Sequence, residues 1–367
     1  MVSTPQPPDP GSPWPLPETL VRLPSANTAT PAIEGYYIES TDGLLFAVKG
    51  LVHPPEMVVA YLRYVPDPNG ERERNGRRYR RFYRFDEQER LLHTQGLPYL
   101  FDDPILGERI QGVPREYIRK VYDPCLRMAE LRGREILDGL EREAVQFADL
   151  LVERAGVPER STGISGSILV GLHTAHSDLD IVIYGSEHCR RVHKALQQML
   201  DDPESVVKRL NEHEMRGLYI SRSQDTPMSF DDFIRLESRK VIQGKFWDQE
   251  YFIRFVKSPA EVGEKYGEKK YRSLGEAQIE APVTDANGAI FTPCTYIIAD
   301  IRFIEGSEVN DLKEIVSFRG RFCEQAREGE RVIARGKLEM VDWKGEVYHR
   351  LVLGRPGDFM VPVRTQR

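Results

Sequence analysis

The segment Gly163 to Gly185 sets the pair Gly166-Ser167 ahead of two carboxylates one residue apart, Asp178 and Asp180, which open the apolar run Ile181-Val-Ile-Tyr184. In a strand, the side-chain period of two turns both carboxylates to one face and Leu179 and Ile181 to the other. Two adjacent carboxylates repel each other and are costly without a cation. Mg2+ (or Mn2+) takes oxygen ligands and keeps positions open for substrate phosphates. The pair therefore suits a clamp for one or two metal ions. Glycine lets a phosphate approach the backbone, and free amides at a helix start favour an anion. Ser167 adds a hydroxyl donor. If the turn and the strand pack side by side, one end of a sheet can hold a triphosphate tail and its metal together.

This spacing, a Gly-Ser pair, a ten-residue gap and then Asp178-Leu-Asp-Ile181, resembles the signature of the DNA polymerase beta-type nucleotidyltransferase superfamily. The resemblance implies that Asp178 and Asp180 bind the catalytic metal. It also implies that Gly166 and Ser167, with Ser177 beside the pair, bind the nucleotide. It covers about 25 residues strongly and residues 140 to 257 loosely. Three positions depart from the pattern. Ser165 stands where an apolar residue is usual, and Leu172-His-Thr-Ala-His176 lacks basic residues. The third carboxylate that the superfamily carries on a later strand is the most serious. The strand expected there, Glu250 to Lys257, has Arg254 at its centre and Glu250 at its edge. Glu250 is the candidate base; Arg254 and Lys257 are candidates for neutralising a triphosphate, against a structural ion pair with an acid. His173 and His176 flank the motif and are read as ordinary loop histidines.

The elements that would carry this motif follow from local pattern. Residues 1 to 33 are rich in proline and read as a disordered tail. Residues 34 to 112 read as a β-rich module, with strand-like runs and the turn signals Asp67-Pro-Asn-Gly70 and Asn75-Gly76. Residues 113 to 258 form the candidate nucleotidyltransferase-like domain. A long amphipathic helix leads into it from an Asp123 cap and Pro124, with Leu126, Ile136 and Leu140 on its apolar stripe and Gly133 a point of interruption. Glu187 to Leu200 and segments starting at Pro203 and Asp231 read as helices. Residues 259 to 367 read as a C-terminal β-domain, a small barrel, with Asp285-Ala-Asn-Gly288 and Asp342-Trp-Lys-Gly345 as hairpin turns. The expected class is α+β: a mixed sheet with helices between two β-rich flanks.

Within the first module, Arg77, Arg78, Arg80, Arg81 and Arg84 alternate with Tyr79, Phe82 and Tyr83. Such a strand suits RNA or DNA, with rings stacking on bases and guanidinium groups on phosphates. Alternation alone favours the plainer reading, in which the aromatics enter the core and the arginines stay wet.

Composition narrows the remaining choices. The net charge is −6 over 367 residues, which opposes nonspecific coating of nucleic acid while leaving local basic patches open. No apolar run reaches the roughly 20 residues of a membrane span, and no leader pattern opens the chain. The four cysteines, Cys125, Cys189, Cys294 and Cys323, show neither zinc nor disulfide spacing, and a cytoplasmic setting is expected. The expected activity is Mg2+-dependent transfer of a nucleoside monophosphate from an NTP to a hydroxyl. The alternative is a catalytically silent protein of the same fold that binds NTP or nucleic acid. A CCA-adding tRNA enzyme is disfavoured because the motif sits mid-chain behind an unrelated-looking module.

Overall fold

The computed structural model describes residues 32–223 and 227–363. The expected tail lies outside these residues, except for Ala32 and Ile33, which are buried. The chain is mixed α+β, built on sheets of eight, five and seven strands.

The eight-stranded sheet belongs to the N-terminal module. Its centre is Met57–Pro66, where alternating burial follows the strand period. Asn75 and Gly76 both have positive φ, 52° and 73°, and join Arg72–Arg74 to Arg77–Arg81 in a tight hairpin of the primed-turn kind. The strand Ile118–Tyr122 pairs with Tyr37–Ser40 in this same sheet, so the module's sheet extends beyond residue 112, where composition drew its end.

The expected long helix is two helices, Pro124–Arg132 and Gly139–Ala155. Asp123 caps the first by accepting the Cys125 and Leu126 amides, and Gly133 closes it. A reciprocal Asp138–Glu141 capping box opens the second. Because the chain turns between them, Leu126 and Ile136 fall off the common stripe and stand 64% and 85% exposed. Pro203 opens a turn rather than a helix; the next helix is Glu212–Ser223.

The five-stranded sheet runs Val207–Lys208, Gln243–Phe246, Gln249–Val256, Leu179–Tyr184, Thr162–Ile164. One face carries Leu179, Ile181 and Ile183 into a core with Phe147, Leu151 and Val192 from two helices. The other face carries Asp180, Val182 and Tyr184. The N-terminal module covers its far end, where Ile33 packs on Val182 and Val256.

The seven-stranded sheet closes on itself. Lys269–Asp285 pairs with Cys294–Ile298, which pairs with Leu312–Ser317, then Glu346–Leu353, then Arg331–Trp343, which returns to Lys269–Asp285. Only the Leu312–Ser317 and Glu346–Leu353 pair is parallel, and this ring is the Greek-key order of an OB barrel. Cys294–Ile298 and Arg302–Glu305 are separate strands, with Asp300 at φ 44° between them. The barrel shares one apolar cluster with the central sheet through Phe255, Phe291 and Ile279.

Glu34 ties the module to the central sheet. Its side chain is 1% exposed and takes Lys49 Nζ at 2.8 Å and Arg254 Nη1 at 2.5 Å on the same oxygen. The Gly50 amide donates to its other oxygen at 2.8 Å. Burial alone would raise the Glu34 pKa, but Lys49 and Arg254 outweigh it and hold the carboxyl below its usual range. Lys49 loses hydration on the same burial and shares its carboxylate with a second cation, so its pKa falls to about 8. We take Glu34 as ionised, because Arg254 stays charged at any ordinary pH. Replacing Glu34 with Gln strands two cations, and urea unfolding should report a loss of about 3–5 kcal/mol. A loss below about 1 kcal/mol would show that the clamp is dispensable. The carboxyl's contribution is present above its ordinary pKa and is lost as pH falls through its lowered value.

Candidate functional site

Asp178 and Asp180 lie at the start of the central strand Leu179–Tyr184. The antiparallel neighbour Thr162–Ile164 runs back into the turn at Gly166, and the Ser165 amide donates to the Asp180 carbonyl at 2.7 Å. The one-turn helix Gly166–Leu169 follows. The turn and the aspartate strand are therefore neighbours, as the chemistry of the motif required.

Gly166 is where this juxtaposition is tightest. Its φ is +60°, and a Cβ there would stand 1.9 Å from Asp180 Oδ2. No side chain fits that gap, so the carboxylate lies directly against the turn's backbone. Ser167 is nearly buried, and its carbonyl accepts the Leu172 amide at 2.8 Å. Ser177 serves the loop: its hydroxyl accepts the Thr174 amide at 3.0 Å and Arg72 Nη1 at 2.9 Å.

The parallel strand Gln249–Val256 pairs Leu179 with Tyr251, Asp180 with Phe252 and Val182 with Arg254. Gln249 Nε2 donates to the Ser177 carbonyl at 2.8 Å, which carries the register one step further and sets Glu250 beside Asp178. Glu250, Phe252 and Arg254 thus share the face of the two aspartates. Among the described residues, no hydrogen bond or ion pair engages the side-chain carboxylates of Asp178, Asp180 or Glu250. Asp178 keeps solvent-accessible surface, yet the mass around it strips away part of its hydration. That loss, then the Asp180 and Glu250 charges, raise its pKa to about 6 against the pull of Arg81 and Arg72. Burial and Glu214 raise the Glu250 pKa as well. Three oxygen-bearing carboxylates on one face, with the ionisation of Asp178 opposed by the charges of the other two, fit a hard divalent cation such as Mg2+.

The two candidate cations fare differently. Arg254 spends its guanidinium on Glu34 and stands on the site face two residues beyond Phe252. Lys257 follows the far end of the strand, exposed, with its ammonium 5.6 Å from the Phe291 ring centroid. It is not brought to the aspartates. His173 Nε2 donates to Asp138 Oδ2 at 2.7 Å, and His176 is exposed. Asp138, Glu141 and His173 gather their ligand atoms within 4.8 Å of one another. Glu141 already takes Arg127 at 2.8 Å and Arg134 at 3.4 Å, and Asp138 caps a helix. That cluster pins the loop rather than lacking a cation.

The arginine-rich strand does not sort into wet arginines and buried rings. Arg77, Tyr79 and Arg81 share one face, and Tyr79 is buried with Leu169, Val170 and Leu172 just past the glycine turn. Arg74 donates to the Val170 carbonyl at 3.1 Å and to Glu39 at 3.1 Å; Arg72 reaches the Leu172 carbonyl at 3.4 Å. Arg80 pairs with Asp67 at 2.7 Å, Arg84 with Asp86 at 3.0 Å, and exposed Arg78 stands 4.0 Å from Glu73. The module grips the segment between the turn and the aspartates. Sequence reasoning had no pairing for Glu34, Arg72 or Arg81; the single available signal was the shared parity of positions 77, 79 and 81.

Over 327 aligned residues the chain is 34% identical to the uncharacterized protein MJ1086 of Methanocaldococcus jannaschii, covering 87% of this chain and 94% of that protein. The chain belongs to the MJ1086 family. An alignment of that length takes in all three sheets and not the aspartate motif alone. No protein-family model matches the chain, and no solved structure matches it.

Two measurements test this geometry. Gly166→Ala should lower the urea midpoint, by about 1–2 kcal/mol from the left-handed backbone alone and more from the displaced Asp180; unchanged stability would contradict the contact. In the metal-free protein, carboxyl NMR should find Asp178 titrating near 6, and Asp180→Asn should bring it down towards its ordinary 3.8. Between those two values the folded state holds the proton better, so the group's contribution to stability falls as pH rises. An Asp178 that titrates at its ordinary value in both proteins would rule the repulsion out.

Proposed function

We propose that the chain is a Mg2+-dependent nucleotidyltransferase that moves a nucleoside monophosphate from an NTP to a hydroxyl acceptor and releases pyrophosphate. The observation that carries this reading is the contact of Asp180 with the Gly166 turn, beside two further unpaired carboxylates on one face. The spacing of these residues resembles that of the DNA polymerase beta-type superfamily, and the five-stranded mixed sheet flanked by helices is compatible with a fold of that type.

In this reading Asp178 and Asp180 hold the cation, which would neutralise charge on the phosphates and on the entering oxygen. The backbone of Gly166-Ser167 faces the tail. The acceptor oxygen forms a bond to the α-phosphorus, the bond from that phosphorus to the pyrophosphate oxygen breaks, and the hydroxyl proton leaves to a base. Glu250 is the candidate base, since it stands beside Asp178 with a raised pKa. Phosphoryl chemistry of this kind depends mainly on positioning and charge neutralisation. A cytoplasmic setting suits free cysteines and an NTP supply; no helix among the described residues is long and apolar enough to cross a membrane.

A second reading is a silent protein that binds nucleic acid. It draws support from the barrel, where a groove of about 700 Å3 is lined by Trp343, Tyr348 and Lys313. Lys269 and Lys344 stand 5.1 and 5.4 Å from the Trp343 ring centroid. Ring and cation together suit a single strand. Asp311, Glu314 and Glu346 line the same groove and would repel phosphates, which puts this reading second.

Pyrophosphate release from each of the four NTPs, with Mg2+ and a mixed-hydroxyl acceptor pool including RNA, decides between the two. Asp178→Asn and Asp180→Asn should each cut release by about 10²–10³-fold without lowering thermal stability, because each relieves repulsion. Release unchanged in both variants would remove the aspartates from the reaction. No release from wild type, alongside oligonucleotide binding that weakens with salt, would favour the second reading.

A further inference from the structure

The hairpin that covers the aspartate site carries several arginines, and most are engaged. Arg72 is held by the Leu172 carbonyl and Ser177, Arg74 by Glu39, and Arg80 by Asp67. Arg81 differs. Its backbone pairs with Tyr64 across the hairpin's neighbouring strand, and its guanidinium lies 4.3 Å from the Tyr83 ring centroid and 6.0 Å from that of Tyr64. Its Nε is buried without a hydrogen-bond partner, and its side chain makes no ion pair among the described residues. A guanidinium resting against a ring, with one nitrogen buried and unpartnered, keeps donors in a planar fork suited to phosphate oxygens.

The direction of Arg81 follows from the strand. It shares the face of Tyr79, which packs on Leu169, Val170 and Leu172, the residues between the glycine turn and the aspartates. Burial opposes its charge, while Tyr64, Tyr83, Tyr37 and Asp180 favour it, and its pKa is raised on balance. The coupling is mutual, since Arg81 pulls the Asp178 pKa down. Arg81 therefore faces the acidic end of the sheet without closing on either carboxylate. A cation set back from an anion cluster leaves a space whose walls are positive on one side and negative on the other. A metal-bound phosphate chain has the complementary arrangement, with its cation on the aspartates and its outer oxygens on the arginine.

The geometry points to Arg81 as the side chain that binds the phosphate tail of the substrate, so that the N-terminal sheet supplies one wall of the nucleotide site. This rests on reading the aspartate face as a phosphate site, though not on turnover there. It gives the module a reason to be clamped by Glu34 to the sheet that bears the aspartates: a phosphate held from two sheets requires a fixed distance between them.

The test uses the full chain and Mg2+-tripolyphosphate as the probe, with binding measured by calorimetry. Arg81→Met keeps the apolar stem and removes the fork; it should weaken binding by about tenfold to a hundredfold, the worth of one or two charge-assisted hydrogen bonds. Arg78→Met, on the opposite face of the strand, should bind as wild type does. If Arg81→Met fails to fold, Arg81→Lys decides, with a several-fold loss in favour of the inference and unchanged affinity against it. Wild-type affinity in Arg81→Met, equal weakening in Arg78→Met, or no binding by wild type each overturns the inference. Pyrophosphate release separates it from the proposed reaction. Tripolyphosphate binding that depends on Arg81, without release from any NTP, would leave the phosphate site standing and remove the transfer. Release with unchanged KM in Arg81→Met would do the reverse.

Discussion

The absence of a side chain at position 166 is the constraint on which the site depends. The Asp180 carboxylate occupies the volume a Cβ would need, and the left-handed backbone there is one that glycine adopts without strain. The strand Thr162–Ile164 pairs with Leu179–Tyr184, and the Ser165 amide donates to the Asp180 carbonyl, which brings the turn level with the first carboxylates of the strand. Any wider spacing would part the backbone amides from the acids. The two halves of the motif would then be separate surface features.

A second constraint is electrostatic. The face that carries Asp178, Asp180 and Glu250 places like charges side by side, and among the described residues none of the three side chains finds a hydrogen-bond or ion-pair partner. The fold tolerates this because its other charges are bound elsewhere. Glu34 absorbs Arg254 and Lys49, Glu39 absorbs Arg74 and Arg119, and Asp67 absorbs Arg80. Those cations are thereby held away from the acids. The cost of the unpaired cluster is concentrated at one end of one sheet, where a ligand can relieve it. Such local frustration in an otherwise well-paired structure is a common mark of function.

The three sheets are joined by different means. The barrel and the central sheet share a continuous apolar cluster. The N-terminal module meets the central sheet through a smaller apolar patch around Val182 and Val256, the Glu34 clamp and the arginines of its hairpin. Gly320 of the barrel comes so close to Phe252 that a Cβ there would stand 2.6 Å from the ring. Phe252 is the residue beside Asp180, so all three units approach the same few positions.

Much of this was legible in the residues alone. The period of two placed Asp178 and Asp180 on one face, the Gly166-Ser167 turn announced a close approach, and Asn75-Gly76 and Lys344-Gly345 marked hairpins whose positive φ values the fold adopts. Local rules suffice for such features, because a turn or an alternating strand is decided within a few residues. They failed where distant segments meet. The parallel register that sets Glu250 beside Asp178 depends on which strands become neighbours, and nothing near residue 250 encodes that choice. The division of one expected helix into two, the turn of Arg81 towards the acids and the capture of Arg254 by Glu34 are likewise outcomes of packing. The sequence by itself determined the glycine turn and the shared face of Asp178 and Asp180, since each lies within one turn or one strand. Tertiary structure decided the third carboxylate and the surrounding cations, since charge pairing over such separations exists only once the chain is folded.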